Sequence, residues 1–212
     1  MTHYQTPFTQ QVKIAYPLIC GPMYPCSNPE LVAAVSNAGG IGIVQPLSLI
    51  YVYGYGFRQG LSYIRSLTDK PIGMNVLIEK SSKIYEERMR QWVEIALAEG
   101  IRFFITSLGN PRWVVERVHH FDGIVYHDVT EQKWLEKALD AGVDGLICVN
   151  NRAGGHAGIL SAQTLFEEMQ SCGKPLICAG GIGDEKDFCA MITMGYAGVQ
   201  MGTRFIATQE CN

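Results

Sequence analysis

Three things are missing from this sequence: an apolar run near the roughly 20 residues that a membrane-spanning helix needs, a Cys-x-x-Cys pair, and a stripe of basic residues. Lys and Arg total 17 against 20 Asp and Glu, for a net charge of −3. That balance argues against nucleic acid or an anionic membrane surface as a partner. The polar start, Met1-Thr2-His3-Tyr4-Gln5-Thr6-Pro7, lacks the pattern of a signal peptide, so a cytoplasmic location is expected. Without Cys-x-x-Cys spacing, the 7 cysteines do not read as a redox or metal motif. Cys20, Cys148 and Cys178 lie inside apolar runs and read as small buried hydrophobes in a reducing compartment. Cys26 follows the first run in a loop, where a reactive thiol is the alternative. No low-complexity segment, linker or charge block divides the chain, so one domain over residues 1–212 is expected.

What is present is a core-forming composition, 47% hydrophobic and 17% charged. A chain this long can bury roughly 70% of its unfolded surface. Short apolar runs alternate with helix-like segments, predicting strands over Pro17–Cys20, Ile41–Val44, Ile72–Val76, Arg102–Thr106, Gly123–Tyr126, Gly145–Val149, Leu176–Ala179 and Ala197–Met201. Several runs are rich in Ile, Val and Leu without polar alternation, as strands buried on both faces of a parallel sheet are. Asn28-Pro29-Glu30 reads as a helix start and Gly39-Gly40 as its stop. From Ile84 to Leu97, a helical stripe runs through Met89, Trp92, Val93, Ala96 and Leu97. Thr130, Ser161 and Asp184 are expected caps of later helices, and Pro71 and Pro175 each precede a strand.

Eight such units predict an α/β protein, a (β/α)8 TIM barrel. The competitor, an open doubly wound sheet, usually carries a phosphate loop after its first strand. Here Gly21-Pro22-Met23-Tyr24-Pro25 lacks the G-x-G-x-x-G pattern, and the glycine loops cluster late instead. The chain ends about ten residues after the eighth predicted strand begins. The closing helix that a barrel packs outside strands one and eight is therefore expected to be absent.

The late loops carry the candidate chemistry. Asn150-Asn151-Arg152-Ala153-Gly154-Gly155-His156-Ala157-Gly158 follows the sixth strand. Ala179-Gly180-Gly181-Ile182-Gly183-Asp184 and Gln200-Met201-Gly202-Thr203 follow the seventh and eighth. Backbone N–H groups in glycine loops ahead of helices can bind an anion, so Gly180-Gly181 and Gly202-Thr203 read as a phosphate site, or else as tight turns only. His156, among glycines at the barrel mouth, can accept a proton at neutral pH. No second metal-ligating residue sits at ligand spacing in its loop, so no metal is expected. His127-Asp128 reads either as a ligand-positioning pair or as a helix cap. Asn75 could bond a polar heteroaromatic ring or satisfy a turn, and Met23 could lie beside a flat ring or fill the core. The aromatic stretch Tyr51-Val52-Tyr53-Gly54-Tyr55-Gly56-Phe57 suits a pocket wall or a contact with a second subunit, so a homo-oligomer is one expectation.

On these motifs the chain resembles the nitronate monooxygenases, formerly called 2-nitropropane dioxygenases, which are FMN-dependent (β/α)8 barrels. The resemblance runs from Pro17 to Thr208. It is carried by Gly21-Pro22-Met23, Ala38-Gly39-Gly40-Ile41-Gly42, Gly73-Met74-Asn75, Ile105-Thr106-Ser107-Leu108-Gly109, Tyr126-His127-Asp128-Val129, Ala153-Gly154-Gly155-His156-Ala157-Gly158, Ala179-Gly180-Gly181-Ile182 and Gln200-Met201-Gly202-Thr203-Arg204-Phe205. It implies His156 as the active-site base or substrate-positioning group. Gly154, Gly181, Gln200, Met201, Gly202 and Thr203 would line FMN, with Gly202-Thr203 at its phosphate and Met23 and Asn75 at its ring. The implied reaction is oxidation of alkyl nitronates by O2 to carbonyl compounds and nitrite. Members usually continue for about a hundred further residues, and the Asn150-Asn151-Arg152 lead-in replaces smaller or acidic residues often found there. The alternatives are a flavin- and NAD(P)H-dependent enoyl-acyl-carrier-protein reductase, a non-catalytic flavin- or phosphate-binding barrel, and a synthase-type barrel acting on a phosphorylated metabolite.

Overall fold

A computed structural model describes residues 4–79 and 82–211. The eight predicted strands form as β1 (Leu18–Cys20), β2 (Ile41–Val44), β3 (Ile72–Ile78), β4 (Phe103–Leu108), β5 (Ile124–Val129), β6 (Gly145–Val149), β7 (Leu176–Ala179) and β8 (Gly198–Met201). All neighbouring pairs are parallel, and β8 pairs with β1 through Leu18↔Val199, Ile19↔Gln200 and Cys20↔Met201, which closes the barrel. Closure therefore comes from strand hydrogen bonding between β8 and β1. The helices are α1 (Pro7–Val12), α2 (Pro29–Asn37), α3 (Phe57–Leu67), α4 (Lys83–Ala98), α5 (Arg112–His119), α6 (Leu135–Asp140), α7 (Ala162–Met169), α8 (Glu185–Met194) and α9 (Thr203–Ile206).

Local chemistry explains the helix ends. Asn28 Oδ1 accepts the Leu31 N–H at 2.7 Å, and Pro29 starts α2 where no intrahelical donor is required. Gly39 leaves that helix at a φ of 97°, a region open to glycine but not to most residues. Ser161 and Asp184 cap α7 and α8 as expected. Thr130 does not cap the helix after β5: a short 3-10 turn, Gln132–Trp134, intervenes, and its Glu131 cap makes no side-chain hydrogen bond. The five apolar stripe residues of α4 are the five it buries.

Strand alternation divides the core into two shells. Val125, Val129, Leu146, Cys148, Cys178 and Val199 pack outward beneath the helices. Ile19, Ile41, Ile43, Phe103, Ile105, Tyr126, Ile147 and Ile177 fill the barrel interior. α1 plugs the end where the strands begin. Its Phe8 ring lies 5.7 Å from Phe103 and 5.5 Å from Tyr126, and Gln11 Oε1 accepts the Tyr126 hydroxyl at 2.7 Å. The plug leaves the opposite end of the barrel for ligands. Among the described residues, no helix is long and apolar enough to cross a membrane.

The aromatic stretch after β2 does not wall the barrel mouth. Ser48–Val52 winds as a π-helix, Tyr55 stacks on Tyr63, and Phe57 is buried against Trp92. Tyr51 is exposed and meets Arg88. The pull of α3 and α4 on these rings outweighs their nearness in sequence to a strand end.

Phe8 is fully buried between interior rings. Phe8→Ala is expected to cost about 3–5 kcal/mol, read as a lower denaturant midpoint at unchanged slope.

Candidate active site

The strand-to-helix loops surround an open cavity of about 840 Å³ at the C-terminal end of the barrel. This is where barrel strands of this type present ligand-binding residues. Its lining includes Met23, Asn75, Gly154, His156, Gly181, Gln200, Met201, Gly202 and Thr203, so all nine residues that the family resemblance implied border one space. A second cavity of about 350 Å³ lies away from these loops, bordered by Met89, Arg90, Trp113 and Glu116 of α4 and α5.

The three late loops are built against one another. Asn150 is buried just past β6, and its amide links two of them. Nδ2 donates to Gly180 O at 2.9 Å, and Oδ1 accepts the Arg152 N–H at 2.7 Å. Gly180 and Gly181 take φ values of 114° and 73°. Neither donates its N–H to a protein acceptor among the described residues. A side chain at Gly181 would meet the Arg152 guanidinium, whose Nε would lie 2.7 Å from the added carbon. One at Gly154 would lie 2.6 Å from Thr203 Oγ1. The loops after β6 and β8 thus touch, with free amide N–H groups and one arginine between the β6 and β7 loops.

The barrel wall supplies polar groups from deeper down. Asn75 lies within β3, and Gln200 within β8. Among the described residues, Asn75 Oδ1, Gln200 Oε1 and Asp128 Oδ1 are buried without a hydrogen-bond partner. Buried polar atoms are rarely left unpaired, and three around one cavity mark where a ligand's polar edge belongs. Met23 sits beside Gly202, its Sδ 3.4 Å from where a side chain there would begin. Met201 packs into the outer shell and also borders the cavity. His156 is exposed at the mouth.

His127 and Asp128 are neither a loop pair nor a helix cap; both lie in β5, which runs past its predicted end because Asp128 and Val129 pair with Ile147 and Cys148. Alternation sends the two side chains in opposite directions. His127 turns outward and is buried, its Nδ1 2.8 Å from Thr106 Oγ1. Burial, with Lys137 nearby, pushes its pKa down to about 4. Asp128 turns inward to the cavity, and burial pushes its pKa up to about 7. Sequence reasoning did not single out Arg152 as a cavity residue or Asn150 as the brace between two loops, and it left Asp128 open between positioning a ligand and capping a helix. A signal for Asp128 was available: it stands two residues beyond Tyr126, on the same face of the strand.

Fold and cavity together define a (β/α)8 barrel whose candidate site is the cavity among its strand-to-helix loops. Residues 5–212 match the family described as nitronate monooxygenase, and the chain belongs to that family. It is 27% identical, over 99% of its length, to a (3aS,4S,5R,7aS)-5-hydroxy-7a-methyl-1-oxo-octahydro-1H-indene-4-carboxyl-CoA dehydrogenase from Rhodococcus jostii, and spans 57% of that protein. A probable nitronate monooxygenase from Staphylococcus saprophyticus is 26% identical, with 97% of this chain and 69% of that protein covered. Among solved structures, FabK from Thermotoga maritima superposes with a TM-score of 0.84 at 29% identity, covering 98% of this chain and 64% of that one.

Two neighbours with opposite shifts give opposite pH slopes. The depressed His127 pKa weakens the fold as pH falls from about 6.5 through 4, because the unfolded chain takes up the proton first. The raised Asp128 pKa weakens it as pH rises from about 4 through 7, because the folded chain must keep or lose a proton the unfolded chain has already released. Relative to wild type, Asp128→Asn should therefore add a rise in stability of about 1.4 kcal/mol per pH unit going up from pH 4.5 to 6, and His127→Gln a similar fall. Chemical denaturation at several pH values reads both. Asn150→Leu should cost about 1–3 kcal/mol by leaving Gly180 O and the Arg152 N–H unpaired, seen as a lowered thermal midpoint.

Proposed function

We propose that this chain forms the flavin site of an oxidoreductase that uses FMN to oxidise alkyl nitronates with O2, giving a carbonyl compound and nitrite. The observation that carries the reading is the single cavity that gathers His156, the glycine loops after β6, β7 and β8, and three unpartnered side-chain oxygens. Family membership supports it.

The residues present fit FMN. Free N–H groups at Gly180 and Gly181, next to the Arg152 guanidinium and the Gly202–Thr203 turn, suit a phosphate. The amides of Asn75 and Gln200 suit the polar edge of a heteroaromatic ring, and the Met23 thioether suits its face. Gly154 and Gly181 leave the backbone open to close approach. FMN, when bound, supplies the electron-accepting chemistry and the reaction with O2. The protein orients the substrate's acidic carbon, and the His156 imidazole takes its proton from the neutral nitroalkane at the cavity mouth.

The likeness to a carboxyl-CoA dehydrogenase favours a second reading, redox chemistry on an acyl thioester, which the enoyl-acyl-carrier-protein reductase alternative would run with a pyridine nucleotide. Anaerobic titration separates the two. Bleaching of bound flavin by a nitronate without pyridine nucleotide supports nitronate oxidation, and rapid bleaching by NADH or NADPH supports the second. His156→Asn should keep bound FMN, with its two visible absorption bands, while turnover of neutral nitroalkanes falls by roughly 10²–10⁴-fold. Full activity in that variant would overturn the assigned role.

A further inference from the structure

Asp128 is an ionisable side chain of the cavity wall to which the proposed reaction gives no task. It projects inward from β5, above Tyr126, and among the described residues its Oδ1 is buried without a hydrogen-bond partner and no cation pairs with it. On β5 itself, His127 faces the outer shell. From β4, Ser107 lines the cavity without charge. From β6, Cys148 lies in the outer shell, where burial holds it as a thiol. Lys137 of α6 acts on His127, and burial is the influence on Asp128 itself. Arg152, His156 and Asp187 border the cavity from the loops and from α8.

An ionised carboxylate in this position would add a third bare acceptor to those of Asn75 and Gln200, with no cation among the described residues to offset its desolvation. The neutral acid turns one of those acceptors into a donor. A heteroaromatic ring with carbonyl oxygens and ring nitrogens on its edge needs both donors and acceptors.

We propose that Asp128 enters the ligand complex as a neutral carboxylic acid and donates its proton in a hydrogen bond to an acceptor atom of the flavin ring, so that ligand binding and protonation of this carboxyl are coupled. This rests on the flavin reading above and adds to it a binding-linked proton at a named residue.

The coupling has a sign. Ligand binds the protonated form, so affinity is flat at low pH and falls as pH rises through the range where Asp128 ionises in the free protein, near pH 7. Riboflavin is the probe, because it lacks the phosphate whose own ionisation would tilt an FMN titration. Quenching of its fluorescence by the protein, measured from pH 6 to 9, should give a dissociation constant that weakens at least tenfold at the alkaline end. Asp128→Asn keeps a hydrogen-bond donor that does not titrate. It should bind riboflavin at all pH values about as tightly as wild type does at pH 6. Asp128→Ala should bind more weakly throughout. His156→Gln should retain the wild-type slope, which separates the effect from the imidazole at the mouth. Riboflavin affinity that is independent of pH, that rises with pH, or that keeps its slope in Asp128→Asn would overturn the role of Asp128 and leave the flavin reading standing. Failure of both riboflavin and FMN to bind wild type would overturn the flavin reading, and this inference with it.

Discussion

Everything at the ligand end of this molecule depends on β8 finding β1. The pairing of Ile19 with Gln200 and Cys20 with Met201 fixes which residues of the last strand face the interior. It points Gln200 into the cavity beside Gly21, where any side chain would collide with the glutamine at 2.9 Å. It also sets Gly202 against Met23 and Thr203 against Gly154, so loops some 180 and 50 residues apart in sequence meet at one place. Parallel closure is slow and non-local to build. Once made, it converts the two-residue alternation of each strand into a fixed assignment of side chains to cavity or shell.

The site is held by main chain as much as by side chains. Asn150 spends both ends of its amide on the backbone of its own loop and the next. That leaves Gly180 and Gly181 in conformations a larger residue would resist, with their N–H groups unspent. Such an arrangement fits an anion without committing a catalytic side chain to it. On the proposed flavin reading, that leaves His156 for proton chemistry at the exposed edge and the buried wall for hydrogen bonds to a ring.

Strand order and the barrel were legible because parallel strands buried on both faces leave nearly unbroken apolar runs, and because punctuation by Asn28-Pro29, Gly39-Gly40, Pro71 and Pro175 is local chemistry. The three glycine loops were legible for the same reason. The ends of β4 and β5 were not, since Ser107, His127 and Asp128 look like loop residues until partners on β3 and β6 extend the ladder to them. The Thr130 cap failed because an intervening 3-10 turn shifted the helix start. The aromatic stretch was drawn toward α3 and α4 by packing that lies far away in sequence. Asn150 and Arg152 acquire meaning only from the loop after β7, which no local pattern reveals.

The adjacent pair on β5 makes the barrel sensitive to a change that alters no composition. A slip of one residue in β5 would exchange the faces of its entire side-chain row. Slipped one way, the His127 imidazole would enter the cavity in place of the acid and Tyr126 would face Thr106; slipped the other way, the Asp128 carboxyl would be pressed against Thr106 in the outer shell and Val129 would take its place at the cavity. Either way both positions lose their native side chain at once. The two residues, one at the cavity and one behind it, therefore act as a register lock, penalising misaligned β5 during assembly before any ligand is present.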